Sequence, residues 1–131
     1  MARTTLTADC AHDRRARTAG ARRRPVQPHG RALRGRKHGA DSHISIFVVR
    51  QEPGGFVPLH RHPYPETFVV ISGRGRWTAG DVIDGLAPDD VVVVPPETLH
   101  GFRNTGDETL HVLSVHEAGE IVQTWTEDEP A

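Results

Sequence analysis

The chain has 131 residues, a formal net charge of −1, one Cys and seven aromatic residues. That length fits one domain and is too short for two of ordinary size. A single Cys excludes an internal disulfide framework and any metal site built from Cys alone, and no apolar stretch approaches the roughly 20 residues that a membrane helix needs. The charge total conceals an asymmetry: residues 1–42 hold 11 Arg/Lys against 3 Asp, a net +8, and residues 43–131 hold 5 Arg against 14 Asp/Glu, a net −9.

The basic segment comes first. It has no aromatic residue and no Ile, and its bulky apolar side chains (Met1, Leu6, Val26 and Leu33) follow neither a helical nor a strand period. Arg14, Arg15, Arg17 and the Arg22–Arg24 run repel one another. Low hydrophobicity with high net charge does not offset the entropy of ordering a chain. Residues 1–40 are therefore expected to be a disordered basic tail, and residues 41–131 the folded domain. Arg14–Arg15 is not followed by the apolar run of about 7–15 residues that marks an export signal, so a cytoplasmic location is expected. No aromatic residue interleaves the arginines and no recognition helix is evident, so specific nucleic-acid binding is not expected.

From Asp41 onward the composition changes. All seven aromatic residues, all five Ile and 13 of the 14 Val lie between Ile44 and Trp125. Such β-branched enrichment predicts strands, at His43–Arg50, Pro58–His62, Thr67–Ser72, Gly75–Thr78, Asp81–Ile83, Val91–Val94, His100–Asn104, Thr109–His116 and Ile121–Thr126. The breaks between them carry turn chemistry, as in Pro53–Gly54–Gly55, Pro63–Tyr64–Pro65 and Pro95–Pro96. No segment has a helical apolar period. Short strands at this spacing predict an all-β sandwich or barrel.

Within it, His60 and His62 stand two apart on a predicted strand, so both imidazoles point to one face. Glu66 follows the stiff Pro63–Tyr64–Pro65 bend. His100 comes 34 residues later, where a barrel strand can bring it opposite the first two. Three neutral imidazoles and one carboxylate suit a divalent first-row metal and leave one or two coordination positions for water, dioxygen or substrate. An isolated His-x-His pair would by itself be an ordinary pair of histidines; its surroundings argue otherwise.

The stretch Gly54–x5–His60–x–His62–x3–Glu66–x6–Gly73 resembles the first motif of the cupin superfamily. After 15 intervening residues, Asp89–x5–Pro95–x–Glu97–x2–His100–x3–Asn104 resembles the second, with Asp89 and Glu97 where the family usually has glycines. The resemblance covers roughly residues 41–127. It implies a single jelly-roll β-barrel with one divalent transition metal (Fe, Mn, Ni, Zn, Co or Cu) held by His60, His62, Glu66 and His100. If Asp89 or Glu97 takes a glycine-like positive φ, the strain is about 1–2 kcal/mol at each.

Strand parity extends the site. With Glu66 inward, Phe68, Val70 and Ser72 should also face inward; with His100 inward, Phe102 and Asn104 should too, and Arg103 out. Phe68 and Phe102 are thus candidate pocket walls. Tyr64 either orients a ligand, gates the mouth, or is an exposed turn residue. Trp77 and Trp125 are assigned to packing or a subunit interface. His111 and His116 have opposite parity, so at most one faces inside; either is a candidate proton carrier.

No nucleophile elbow, phosphate-binding glycine loop or dinucleotide fingerprint is present, so the metal is the evident source of reactivity. The favoured function is a metal-dependent enzyme (dioxygenase, isomerase or cyclase type) on a small molecule that chelates through oxygen, with Glu66 doubling as ligand and base. The alternatives are a non-catalytic small-ligand binding or sensor module, and a metal that only stabilises the fold. A homodimer is expected, since a unit of about 90 residues has a limited core, and loss of residues 1–38 is expected to leave metal binding intact.

Overall fold

The computed structural model describes residues 29–38 and 41–131, with side chains from Ala32 onward. Ten strands run in chain order: β1 (His29–Leu33), β2 (Ser45–Gln51), β3 (Phe56–Arg61), β4 (Glu66–Ser72), β5 (Gly75–Ala79), β6 (Val82–Leu86), β7 (Val91–Val94), β8 (His100–Asn104), β9 (Leu110–His116) and β10 (Thr124–Trp125). One helical turn, α1 (Gly35–His38), follows β1. The strands form two five-stranded antiparallel sheets, β1–β2–β9–β4–β7 and β10–β3–β8–β5–β6. These face each other as a jelly roll, the all-β architecture expected.

Alternation builds the interior. In β2 the residues Ser45, Phe47, Val49 and Gln51 are buried, and in β9 Leu110, Val112, Ser114 and His116 are buried. Phe47, Phe68, Val70, Trp77, Phe102 and Val112 belong to one apolar cluster, all at most 1% exposed. Trp77 is therefore a core residue. Fully burying side chains of this size contributes about 1.5–3 kcal/mol each.

All nine predicted strands exist, seven of them with shifted ends. Two expectations are corrected. Ser72 is exposed, because the β4–β9 register shifts between Val70 and Ser72 and breaks the alternation there. The strand expected over Ile121–Thr126 shrinks to Thr124–Trp125: the Val122 N–H donates to Tyr64 Oη (3.2 Å) and not to a neighbouring strand.

Residues 29–38, within the stretch expected to be a disordered tail, form β1 and α1. β1 pairs along β2 from His29↔Arg50 to Leu33↔Ile46. It is an edge strand, held by ladder hydrogen bonds to β2; of its described side chains, Ala32 packs against the core and Leu33 is 42% exposed. α1 is pinned in turn. Gly35 N–H donates to Ser45 Oγ (3.1 Å) and Arg36 N–H to the Gly119 carbonyl (3.0 Å), and a Cβ at Gly35 would collide with the Ile44 carbonyl. Loss of residues 1–38 would thus remove a strand of the barrel. The rest of the tail expectation, residues 1–28, lies outside the described residues.

Asp89 (φ 70°) and Glu97 (φ 61°) do hold the left-handed conformation for which glycine is favoured. Asp90 caps the Asp89 turn through its carboxylate on the Ala87 N–H (2.9 Å). The Glu97 N–H donates to the His62 carbonyl (2.8 Å), so the strained residue anchors the segment that carries a predicted ligand. The Glu97 side chain is on the surface, 3.8 Å from Arg61.

Candidate metal centre

The two sheets each supply part of one cluster at the same end of the barrel. β3 and β8 pair His60 directly with His100, and His62 lies just beyond the end of β3. From the facing sheet, Glu66 opens β4 and is in register with His116 on β9. His60, His62, Glu66 and His100 are all at most 2% exposed, and one donor atom from each lies within 4.8 Å of the others. The four residues singled out in the sequence therefore converge.

Local hydrogen bonds orient the three imidazoles alike. His60 Nδ1 faces the Pro58 carbonyl (2.9 Å), His62 Nδ1 the Tyr64 carbonyl (2.6 Å) and His100 Nδ1 the Thr98 carbonyl (2.6 Å). A carbonyl only accepts, so each Nδ1 carries the proton and each Nε2 presents its lone pair inward. His62 Nε2 is 2.8 Å and His100 Nε2 3.4 Å from Glu66 Oε2.

Burial sets the charge states. Desolvation lowers His60 to about 3, against the carbonyl of Pro58, and lowers His62. Desolvation, then the neighbouring His60, brings His100 down to about 2. Burial pushes the Glu66 carboxyl well above its ordinary value. Burial thus opposes ionisation on both sides of the 2.8 Å contact between His62 and Glu66. This donor set fits a divalent transition metal: three imidazole lone pairs are available, and a dication is the partner that lets a buried carboxyl ionise.

The flanking residues resolve earlier alternatives. Tyr64 is 8% exposed, so it is not a surface turn residue. Its ring stacks on His62 at 4.4 Å and 9°, and its hydroxyl lies 3.1 Å from His116 Nδ1. Phe68 and Phe102 are fully buried, 6.4 Å apart between centroids, one inward position further along their strands than Glu66 and His100. His116 is the inward member of the His111/His116 pair and is fully buried, its Nε2 3.4 Å from Glu66 Oε2. Burial, then His62 and His100, lowers it to about 2.

Sequence reasoning gave two residues too little weight. His116 lies outside both motifs, and its parity alone was the available signal. Trp125, 43% exposed, stacks on His60 at 4.4 Å and 29° because β10 pairs Trp125 with His60; nothing in the sequence pointed to that pairing. Ser114 Oγ is buried with no hydrogen-bond partner among the described residues, between Phe47 and Phe68 in register.

A family model described as "Cupin domain" matches residues 47–116, and the chain belongs to that family. The chain is similar to 1-methylthio-D-xylulose 5-phosphate methylsulfurylase of Rhodospirillum rubrum, 35% identical over 76 residues, covering 58% of this chain and 47% of the relative. It is similar to auxin-binding protein 1 of Arabidopsis thaliana, 27% identical over 81 residues, covering 55% and 41%. The chain thus spans about half the length of these relatives or less. Among solved structures, oxalate decarboxylase from Bacillus subtilis superposes with a TM-score of 0.68 at 25% identity, over 79% of this chain and 29% of that one. No helix among the described residues is long and apolar enough to cross a membrane.

Proposed function

We propose that the protein is a metal-dependent enzyme acting on a small organic molecule that binds through oxygen atoms, of dioxygenase, isomerase or cyclase type. The observation that carries this reading is the convergence of His60, His62, Glu66 and His100, with every imidazole held so that Nε2 faces the centre. When bound, a divalent transition metal supplies Lewis-acid polarisation or, if redox-active, dioxygen activation. The protein residues do the rest. The three carbonyl contacts keep the imidazoles neutral and aimed. Glu66 holds the ion, and as the one carboxylate of the set it can take a proton from substrate. Phe68 and Phe102 form the apolar wall beside it, and the Ser114 hydroxyl offers a hydrogen bond to an oxygen-bearing molecule that reaches the layer below Glu66.

The similarity to an auxin-binding protein favours a second reading, a barrel that binds a small ligand without turning it over. In both readings the protein works as a homodimer, since the outermost strands β6 and β7 expose Val82, Ile83, Val91 and Val93.

The test loads purified protein with Fe(II), Mn(II), Ni(II), Co(II), Cu(II) or Zn(II), then follows oxygen uptake and loss of flavonol, diketone and hydroxyaromatic compounds. Turnover that disappears in a His60→Ala/His62→Ala double variant is the expected result. Turnover that survives in that variant overturns the metal-centred reading, and tight binding without turnover under every metal selects the binding module. Light scattering showing a monomer at micromolar concentration overturns the dimer.

A further inference from the structure

The three imidazoles of the metal-ligand set share a feature that His116 lacks. Each has Nδ1 on a backbone carbonyl, which can only accept. His116 Nδ1 faces a hydroxyl instead, Tyr64 Oη at 3.1 Å, and a hydroxyl can donate. That same oxygen accepts the Val122 N–H (3.2 Å), which steers the hydroxyl proton toward His116 Nδ1. The imidazole proton of His116 is then on Nε2, the atom that lies 3.4 Å from Glu66 Oε2.

We infer that Tyr64 and His116 form a donor pair that holds the Glu66 carboxylate in place, so that His116 is a positioning residue and not a fourth imidazole ligand. The inference rests on the metal-holding role proposed for Glu66. His116 and Glu66 are directly opposed on adjacent strands, so the contact is built into the sheet register. The Phe47 ring packs on His116 at 4.7 Å, and the Tyr64 ring is fixed by its stack on His62. The separation of 3.4 Å is longer than an ideal N–H···O bond of about 2.9 Å. A carboxylate that gives one lone pair to a metal and accepts a hydrogen bond from the neighbouring strand is fixed in one orientation, and outer partners of this kind typically change metal affinity about 10–100-fold.

The first test needs no metal. Long-range proton–nitrogen NMR at neutral pH reads imidazole tautomers directly. The expected result is Nδ1–H at His60, His62 and His100, and Nε2–H at His116, with the His116 preference lost in Tyr64→Phe. An Nδ1–H tautomer at His116, or a preference unchanged in Tyr64→Phe, overturns the inference. The second test titrates Co(II). His116→Phe should bind at least about tenfold more weakly, and His116→Gln, whose amide still donates, should recover most of the loss. Pulsed EPR of the Cu(II) form should count the same number of bound imidazoles in wild type and His116→Phe. One imidazole fewer, equal Co(II) affinity in His116→Phe, or no recovery in His116→Gln each overturns the inference. Should His116→Phe fail to fold, the tautomers of the wild type and Tyr64→Phe decide alone. A wild type that takes up no Co(II) overturns the metal reading instead, and leaves the tautomer result standing.

Discussion

The two ends of the barrel interior are built by the same strands with the same alternation, yet they hold opposite chemistry. Along β4 the inward positions read Glu66, Phe68 and Val70; along β9 they read His116, Ser114, Val112 and Leu110; along β2, Ser45, Phe47 and Val49. One or two steps along a strand exchange four buried imidazoles and a carboxyl for a close-packed apolar cluster. The apolar end follows the ordinary rule for folding: area removed from water stabilises. The polar end breaks it, since each ionisable group there loses hydration. Burial disfavours the charged form of its imidazoles and of its carboxyl, which limits the loss without removing it. The difference marks the candidate site, because the end that opposes folding is the end whose donors converge. At the apolar end the Gln51 amide atoms are buried with no partner among the described residues; nothing in the structure explains it.

The largest expected effect is a break at the apolar end. Phe68→Ala should destabilise the metal-free protein by about 3–5 kcal/mol through lost burial and the cavity left behind, read as a shift of the urea midpoint. A loss under about 1 kcal/mol would show that the layer below Glu66 is loosely packed and that the two ends are not distinct.

Acid should act chiefly on the polar end. His60, His100 and His116 have folded values of about 3, 2 and 2, against an unfolded value of 6.5. Between those values the unfolded chain binds protons that the folded chain refuses, so stability is fully present above pH 6.5 and is lost as pH falls. The slope approaches about 1.4 kcal/mol per pH unit for each histidine. Glu66 has the opposite sign: its raised folded value adds stability at low pH, which is lost as pH rises through that value. Urea unfolding of the metal-free protein from pH 7 downward should therefore show falling stability, and replacing His116 by Phe should flatten the curve. Saturating metal should raise the melting temperature by linkage, most strongly at the higher pH, where Glu66 yields its proton with least opposition.

The apolar end and the ligand set were both legible in the sequence, for different reasons. Period-two alternation carried the strands of the barrel, and motif spacing carried His60, His62, Glu66 and His100. What stayed hidden depends on pairing rather than on local chemistry. β1 is an edge strand with little apolar signal of its own, held by backbone hydrogen bonds to β2. Ser72 turns outward through a register shift that no residue type announces. His116 and Trp125 reach the site because β9 pairs with β4 and β10 with β3. Parity could place His116 inside, but the register decides that it meets Glu66.

Ser114 sits on the boundary between the two ends, and its replacement tests on which side it belongs. Its hydroxyl is buried without a partner among the described residues, between Phe47 and Phe68 and two residues from His116. A buried hydroxyl left in that state costs about 1–3 kcal/mol. Alanine removes the cost and leaves a gap smaller than a methyl group. Ser114→Ala should then stabilise the metal-free protein by about 1 kcal/mol, measured from the urea midpoint. If the hydroxyl meets an oxygen atom of a bound molecule, the same variant should weaken diketone binding to the metal-loaded protein, so that stability and affinity move in opposite directions. A variant that is less stable and binds equally well would place Ser114 with the apolar end, as a packing residue whose hydroxyl plays no part in the site.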